Sequence, residues 1–135
     1  MGTVLVPVRY PLSQTSRHTL EQAIGIAEER EAEVIVLHVD LFQNGDHVTR
    51  TDLKREVEQV VGRVPRARYV VRRGFLVEEG ILEELADSVA DVAVIGQKQL
   101  GRWRRALNRM RSDPDIAEYL QDRIECEIVV VTPPA

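Results

Sequence analysis

Apolar residues in this chain come in short continuous runs, separated by stretches in which they recur every three or four positions. Thr3-Val-Leu-Val-Pro-Val8 is too brief for a helix and predicts strand one, with Pro7 a mild irregularity because it has no N–H to donate. Leu20, Ala23, Ile24 and Ala27 then fall on one helical face, predicting helix one over 16–30 with Ser16 as its cap and Gly25 a small cost. Glu33-Val-Ile-Val-Leu-His-Val39 is β-branched and continuous, the pattern of a strand covered on both sides. After a loop holding Asn44-Gly45, Thr49-Arg-Thr-Asp52 resembles a capping box with Asp in place of Glu. Leu53, Val57, Val60 and Val61 supply that helix's buried stripe, and Gly62 and Pro65 stop it. Ala67 to Arg72 is a more polar strand, expected at a sheet edge, and Gly74 breaks it. Glu78 and Glu79 suit a first helical turn, with Ile81, Leu82, Leu85 and Val89 as the inner face. Strand four is Asp91 to Ile95, ending in Gly96; Trp103 to Met110 has room for one or two helical turns. Asp113-Pro-Asp115 opens a last helix with Pro114 at its first position and Ile116, Leu120 and Ile124 inward, and Cys126 to Val131 is strand five.

Five strands alternating with helices, without repeats or a linker, predict a parallel sheet with helices on both faces, a three-layer α/β/α sandwich. Ligands in such sheets bind beyond the C-terminal strand ends where the strand order reverses. Arg9 to Leu12, Val39-Asp40 and the loop after Gly96 are therefore expected neighbours. A strand running into glycine and then a helix start presents free N–H groups and a helix dipole, the usual construction of a phosphate site.

Composition narrows this picture. The 135 residues suit one domain, 1–135, with a single core. With 44% hydrophobic but only 4% aromatic residues, that core must be aliphatic. A net charge of −4 does not suggest a dedicated nucleic-acid binder. The lone Cys126 excludes an internal disulfide and is expected to behave as a small hydrophobe. No apolar run approaches the roughly 20 residues that cross a bilayer, and Met1 to Val6 lacks the marks of a signal peptide, so a cytoplasmic protein is expected.

The chemistry worth weighing concentrates after strand four. Lys98, Arg102, Arg104, Arg105, Arg109 and Arg111 place six cations in Gly96 to Arg111 with no acid among them. They suit a clamp for a polyanion through Arg102 to Arg111, or a solvated face pairing with the acids that follow, Asp113, Asp115, Glu118 and Asp122. Trp103 either stacks on a base or partner or anchors its loop on the domain surface. Arg9 either binds an anion at the switch point or pairs internally with Asp113 or Asp115. His38 lies in a strand without a local Cys or His partner and reads as a satisfied core histidine; His18 and His47 are scattered, and no metal spacing joins them. The P-loop, the dinucleotide fingerprint after strand one and the nucleophile elbow are all missing, so no catalytic residue is assigned and enzymatic turnover ranks last.

Val4-Leu-Val-Pro-Val8, Val36-Leu-His-Val39, Arg73-Gly74, Ala90 to Gly96, Ala117-Glu-Tyr-Leu120 and Cys126 to Val131, in this order and spacing, resemble the universal stress protein family over nearly the whole chain. The resemblance implies an adenine-nucleotide alpha-hydrolase-like sheet of order 3-2-1-4-5 with strands one and four at the switch point. It also implies homodimers, often paired through the last strand, here residues 126–131. Many members bind ATP through G-x2-G-x9-G-(S/T) after strand four and an acid just after strand one.

This chain departs from that motif. Gly96 and Gly101 are separated by four residues, not two; the final Gly-Ser falls on Pro114-Asp115, or on Arg111-Ser112 counting from Gly101. Arg9 stands where the acid would be, and the loop before helix one is two residues longer. Val39 keeps the position that walls the adenine. Asp113 and Asp115 would cap the last helix themselves, and a carboxylate about 4 Å from a phosphate charge is repelled by roughly 4 kcal/mol at an effective dielectric near 20. Pro114 removes one N–H outright. The expectation is a non-catalytic, dimeric stress-response domain without ordinary ATP binding and with no cofactor. The alternative is an ATP or AMP binder in which Val8 and Arg9 border the site, Gly96 and Gly101 hold phosphates, Lys98 and Arg102 neutralise them, and Val39 walls the base.

Overall fold

The computed structural model describes residues 2–45, 47–112 and 126–132. The elements are β1 (Thr3–Pro7), α1 (Gln14–Arg30), β2 (Glu33–Leu41), a single 3₁₀ turn at Phe42–Asn44, α2 (Arg50–Val61), β3 (Ala67–Gly74), α3 (Val77–Ser88), β4 (Val92–Gly96), α4 (Gln97–Arg111) and β5 (Glu127–Val131). All five strands are parallel, in the order β3-β2-β1-β4-β5. The order reverses between β1 and β4, so the switch point lies where the resemblance implied.

Alternation along the central strands divides the core by residue type. Val4, Val6, Val34, Val36, Val92 and Val94 face one layer, where α1 brings Leu20, Ala23 and Ala27, and α2 brings Leu53 and Val57. Leu5, Ile35, Leu37, Ala93 and Ile95 face the other, against Ile81, Leu82 and Leu85 of α3 and Trp103 and Ala106 of α4. A strand's period of two does this: one face takes compact valines under two helices, the other the longer side chains. Asp91 closes the N-terminal end of the sheet. Its Oδ2 accepts from Thr3 N–H at 2.7 Å, its own N–H donates to Thr3, and its carbonyl accepts from Glu127 N–H.

Several expectations are corrected. The cap of α1 is Ser13, whose Oγ accepts from Ser16 N–H at 3.0 Å, so the helix begins at 14 and Ser16 is buried within it. Val89 is not on the inner face of α3: it is the C-cap, with φ of 50°, and is exposed. Val60 and Val61 are only half-buried. The largest correction follows β4. Instead of a glycine loop with one or two later turns, Gln97–Arg111 is one helix that starts directly after Gly96. Trp103 is no surface anchor; it is 4% exposed, inside the α3–α4 core. The predicted last helix, with Asp113, Pro114, Asp115, Ile116, Leu120 and Ile124, lies outside the described residues.

Candidate functional site at the switch point

The loop leaving β1 is pinned at three places. Val8 N–H donates to Leu37 at 2.8 Å, extending the β1–β2 pairing by one residue. Arg9 N–H donates to Ser16 Oγ at 2.9 Å, and Leu12 N–H donates to Glu56 Oε2 of α2 at 2.8 Å. Ser13 then caps α1. The extra length of this loop is thus spent crossing to α2. His38 meets the Val8 carbonyl through Nδ1 at 3.1 Å. A carbonyl only accepts, so Nδ1 carries the proton in this contact. The Tyr10 ring lies 5.9 Å from that of His38. His38 is thus partnered, as expected, but it is half-buried and lines the cleft beyond these strand ends rather than lying in the core.

Beyond these strand ends lies a cleft of about 190 Å³. Val8, Val39, Leu41 and Val77 give it apolar walls, and Arg9, Ser16, Asn44 and Gln99 bring polar groups. Beside Val39, α3 approaches β2 so closely that a Cβ on Gly80 would meet Val39 Cγ2 at 2.6 Å. A larger depression, about 630 Å³, opens around Gly2, Glu31, Glu33 and Arg66. It lies at the N-terminal ends of β1, β2 and β3, away from the end where parallel sheets present helix N-termini to ligands.

Of the residues singled out from sequence, Val8, Arg9 and Val39 do come together at this cleft. Gly96 ends β4, with Thr19 Oγ1 3.8 Å from where its Cβ would be. Lys98, Gly101 and Arg102 do not line the cleft; all three are exposed on α4. Nothing lies within 4 Å of a Cβ built on Gly101. Gly101 lies within α4, where its amide joins the intrahelical ladder. Asp113, Pro114 and Asp115, and any pairing of Arg9 with them, lie outside the described residues. Gln99 and Asn44 carried no signal in the sequence. Gly80 did: a glycine inside an otherwise strong helical pattern often marks close packing.

Two clusters lie apart from the cleft. Arg72 of β3 donates to Glu84 of α3 at 2.8 Å, to Asp87, and to Glu83 at 3.5 Å. Burial alone would lower the Arg72 pKa, but the hydrogen bonds to Glu84 and Asp87 outweigh it and raise it. Arg73 lies 4.9 Å over the Phe42 ring, which packs on Phe75, and its Nη1 meets the His47 ring at 3.1 Å. Cys126 is packed against the α3–α4 core, and burial pushes its thiol pKa up. It behaves as the small hydrophobe its position suggested.

Comparison with known proteins agrees with this geometry. The family model described as the universal stress protein family matches residues 1–132. No curated protein matches the chain. Among solved structures, the chain is similar to a universal stress protein in complex with cAMP, at 15% identity and a TM-score of 0.62, covering 98% of both chains. It is also similar to a universal stress protein from Archaeoglobus fulgidus, at 18% identity and a TM-score of 0.62, covering 98% of this chain and 44% of that one. A third similar structure, from Burkholderia pseudomallei, has 15% identity, a TM-score of 0.60 and coverage of 98% and 96%. At these identities the structures speak for the fold alone. With the family model spanning almost every residue, and the 3-2-1-4-5 parallel sheet placing its switch point between β1 and β4, the chain belongs to the universal stress protein family.

Proposed function

We propose that this universal stress protein is a non-catalytic regulatory domain of the stress response whose switch-point site has been remodelled away from ordinary ATP binding. The observation that carries this is the continuous helix after Gly96, which puts Gly101 inside α4, so that among the described residues no glycine-rich loop follows β4. Two further facts support it. The cleft of about 190 Å³ is below the 300–1,000 Å³ typical of small-molecule sites. Arg9 brings a cation where the family's ATP binders carry an acid. No catalytic residue or cofactor is assigned, and the setting is the cytoplasm; among the described residues no helix is long and apolar enough to cross a membrane.

A second reading draws on the relative in complex with cAMP, a nucleotide with a single phosphate. Here the apolar Val8–Val39 wall would take a base, and Arg9 and Gln99 would face one phosphate. Calorimetry with Mg²⁺-ATP, AMP and cAMP near physiological salt separates the two. The first reading expects no heat from any of them up to millimolar ligand. Micromolar binding of AMP or cAMP but not ATP would establish the second, and micromolar ATP binding would overturn both.

We also read the chain as a homodimer paired through β5. The outer strand β3 carries Arg68, Arg72 and Arg73, charges that blunt an edge. By contrast, β5 offers Glu127-Ile-Val-Val-Val131, β-branched and apolar, with Val130 39% exposed.

A further inference from the structure

Helix α4 differs in its charges from the other described helices. Lys98, Arg102, Arg105 and Arg109 recur at steps of four, three and four residues. On a helix of 3.6 residues per turn, that spacing holds all four within about 60° of arc, along roughly 16 Å of axis. All four are exposed, as is Arg104 on the flank. No acid stands in the first turn or anywhere else from Gln97 to Arg111. By comparison, α1 sets Arg17 against Glu21 at 3.0 Å, α2 opens on Asp52, and α3 opens on Glu78 and Glu79.

The cost of this arrangement can be stated. Each like-charged pair at i,i+3 or i,i+4 destabilises a helix by about 0.2–0.5 kcal/mol, and the stripe contains three such steps in succession. Lys98 sits in the first turn, where the macrodipole disfavours a cation. Among the described residues, no carboxylate lies within ion-pair reach of Lys98, Arg102, Arg104, Arg105 or Arg109. What holds α4 is its inner face, Trp103 and Ala106, buried against α3 and the sheet. The six cations of Gln97–Arg111, taken from a net charge of −4, leave −10 on the rest of the chain. Positive charge is thus collected on one helix of an acidic protein.

We propose that α4 binds the phosphate backbone of a nucleic-acid duplex, without reading its sequence. A line of charges about 16 Å long suits a line of phosphates, spaced about 3.4 Å apart along one strand, better than a single small anion. Five of the six cations are arginine, whose planar fork grips phosphate in two places. Trp103 and Ala106 of α4 are buried, so neither is presented to a lipid surface. Trp103, the one aromatic residue of the segment, is buried, so α4 itself presents no ring to stack on an unpaired base. The acidic remainder of the molecule turns a polyanion toward this face and keeps the affinity modest.

The test is fluorescence anisotropy of the whole protein with a fluorescein-labelled 20-base-pair RNA duplex, the DNA duplex of the same sequence and a scrambled version of each. Binding is expected with Kd on the order of 10⁻⁶ to 10⁻⁴ M, equal for scrambled sequences, and about a hundredfold weaker at 200 mM than at 50 mM salt if four phosphates are engaged. The RNA and DNA arms show which duplex is preferred. Arg102→Gln/Arg105→Gln/Arg109→Gln should lose more than tenfold in affinity and flatten the salt dependence. Arg50→Gln/Arg55→Gln/Arg63→Gln, remote from α4, should bind within about twofold of the original. Arg102→Lys/Arg105→Lys/Arg109→Lys keeps charge and fold and should keep the salt slope. The proposal fails if the unaltered protein does not bind either duplex at 50 mM salt, or if the α4 glutamine variant binds undiminished. It fails equally if the remote variant loses as much, or if polyglutamate competes as well as duplex does.

Discussion

At Gly101 the helix passes a residue with open space beside it, and nothing in its surroundings requires glycine. Gly101→Ala should therefore stabilise the protein by about 1 kcal/mol, through the ordinary helix preference for alanine. A thermal melt checks this, and a fall in Tm would mean that α4 needs glycine there after all. Gly80 is the opposite case. Its missing Cβ is the space that Val39 fills, at 2.6 Å from the ideal position. Gly80→Ala must push α3 off β2 or twist Val39 from its rotamer, at about 1–3 kcal/mol, only partly offset by helix preference. Urea unfolding should show a lower midpoint with an unchanged slope. Two glycines in two helices thus predict shifts of opposite sign.

Among the elements, α2 is the one whose start is written most plainly. Thr49 Oγ1 accepts from Asp52 N–H at 3.1 Å, and Asp52 Oδ2 accepts from Thr49 N–H at 3.0 Å. The backbone hydrogen bond from Thr49, then its side-chain one, hold the Asp52 pKa below its usual value. A carboxyl with a depressed folded pKa adds stability above its unfolded pKa, near 3.9, and loses it as pH falls through the folded value. Asp52→Asn should therefore lower the urea midpoint at neutral pH, with the gap to the original closing below about pH 4. A gap that persists in acid would show that the carboxylate charge is not what the cap uses. Between β3 and α3 the tie is Arg72 on Glu84, and the Glu84 side chain is 9% exposed. Arg72→Met would leave Glu84 buried without its cation. The expected loss is about 2–3 kcal/mol, below a fully buried pair because Arg72 itself is partly exposed. Loss of the contacts to the exposed carboxylates of Glu83 and Asp87 adds little.

On the scale of the whole molecule, the sheet has two outer strands of different character, and only β5 is apolar along its edge. Light scattering at micromolar concentration should give twice the mass of one chain. Val130→Lys should return the protein to a monomer without unfolding it, since Val130 is already exposed. A monomer before the substitution would sink the dimer reading. The same layout keeps two surfaces apart: the cleft sits at the β1–β4 reversal, and the basic stripe rides on the outer face of α4.

Much of this was legible in the chain. Runs such as Val4-Leu-Val and Val34-Ile-Val-Leu specify buried parallel strands because both faces must be apolar, and the Thr49–Asp52 cap is a local device needing four residues. Val8, Arg9 and Val39 meet at one cleft because strand ends in a parallel sheet converge by topology. The segment after Gly96 hides its structure for an equally physical reason. Two glycines and a dense charge run suggest a loop, and only burial of Trp103 and Ala106 against α3 makes a helix of Gln97–Arg111. Packing partners distant in sequence supply that burial, so no local pattern announces it. Likewise Ser16 has the chemistry of a cap, but the β1–α1 loop, tied to Glu56, hands that role to Ser13 and uses Ser16 to hold Arg9. Sequence by itself determined the alternation of elements, the aliphatic core and the charge of α4, all of which depend on neighbours within a few residues. Tertiary structure decided where α4 begins, how closely α3 meets β2 at Gly80 and which side chains reach the cleft, because those depend on how closely separate elements approach.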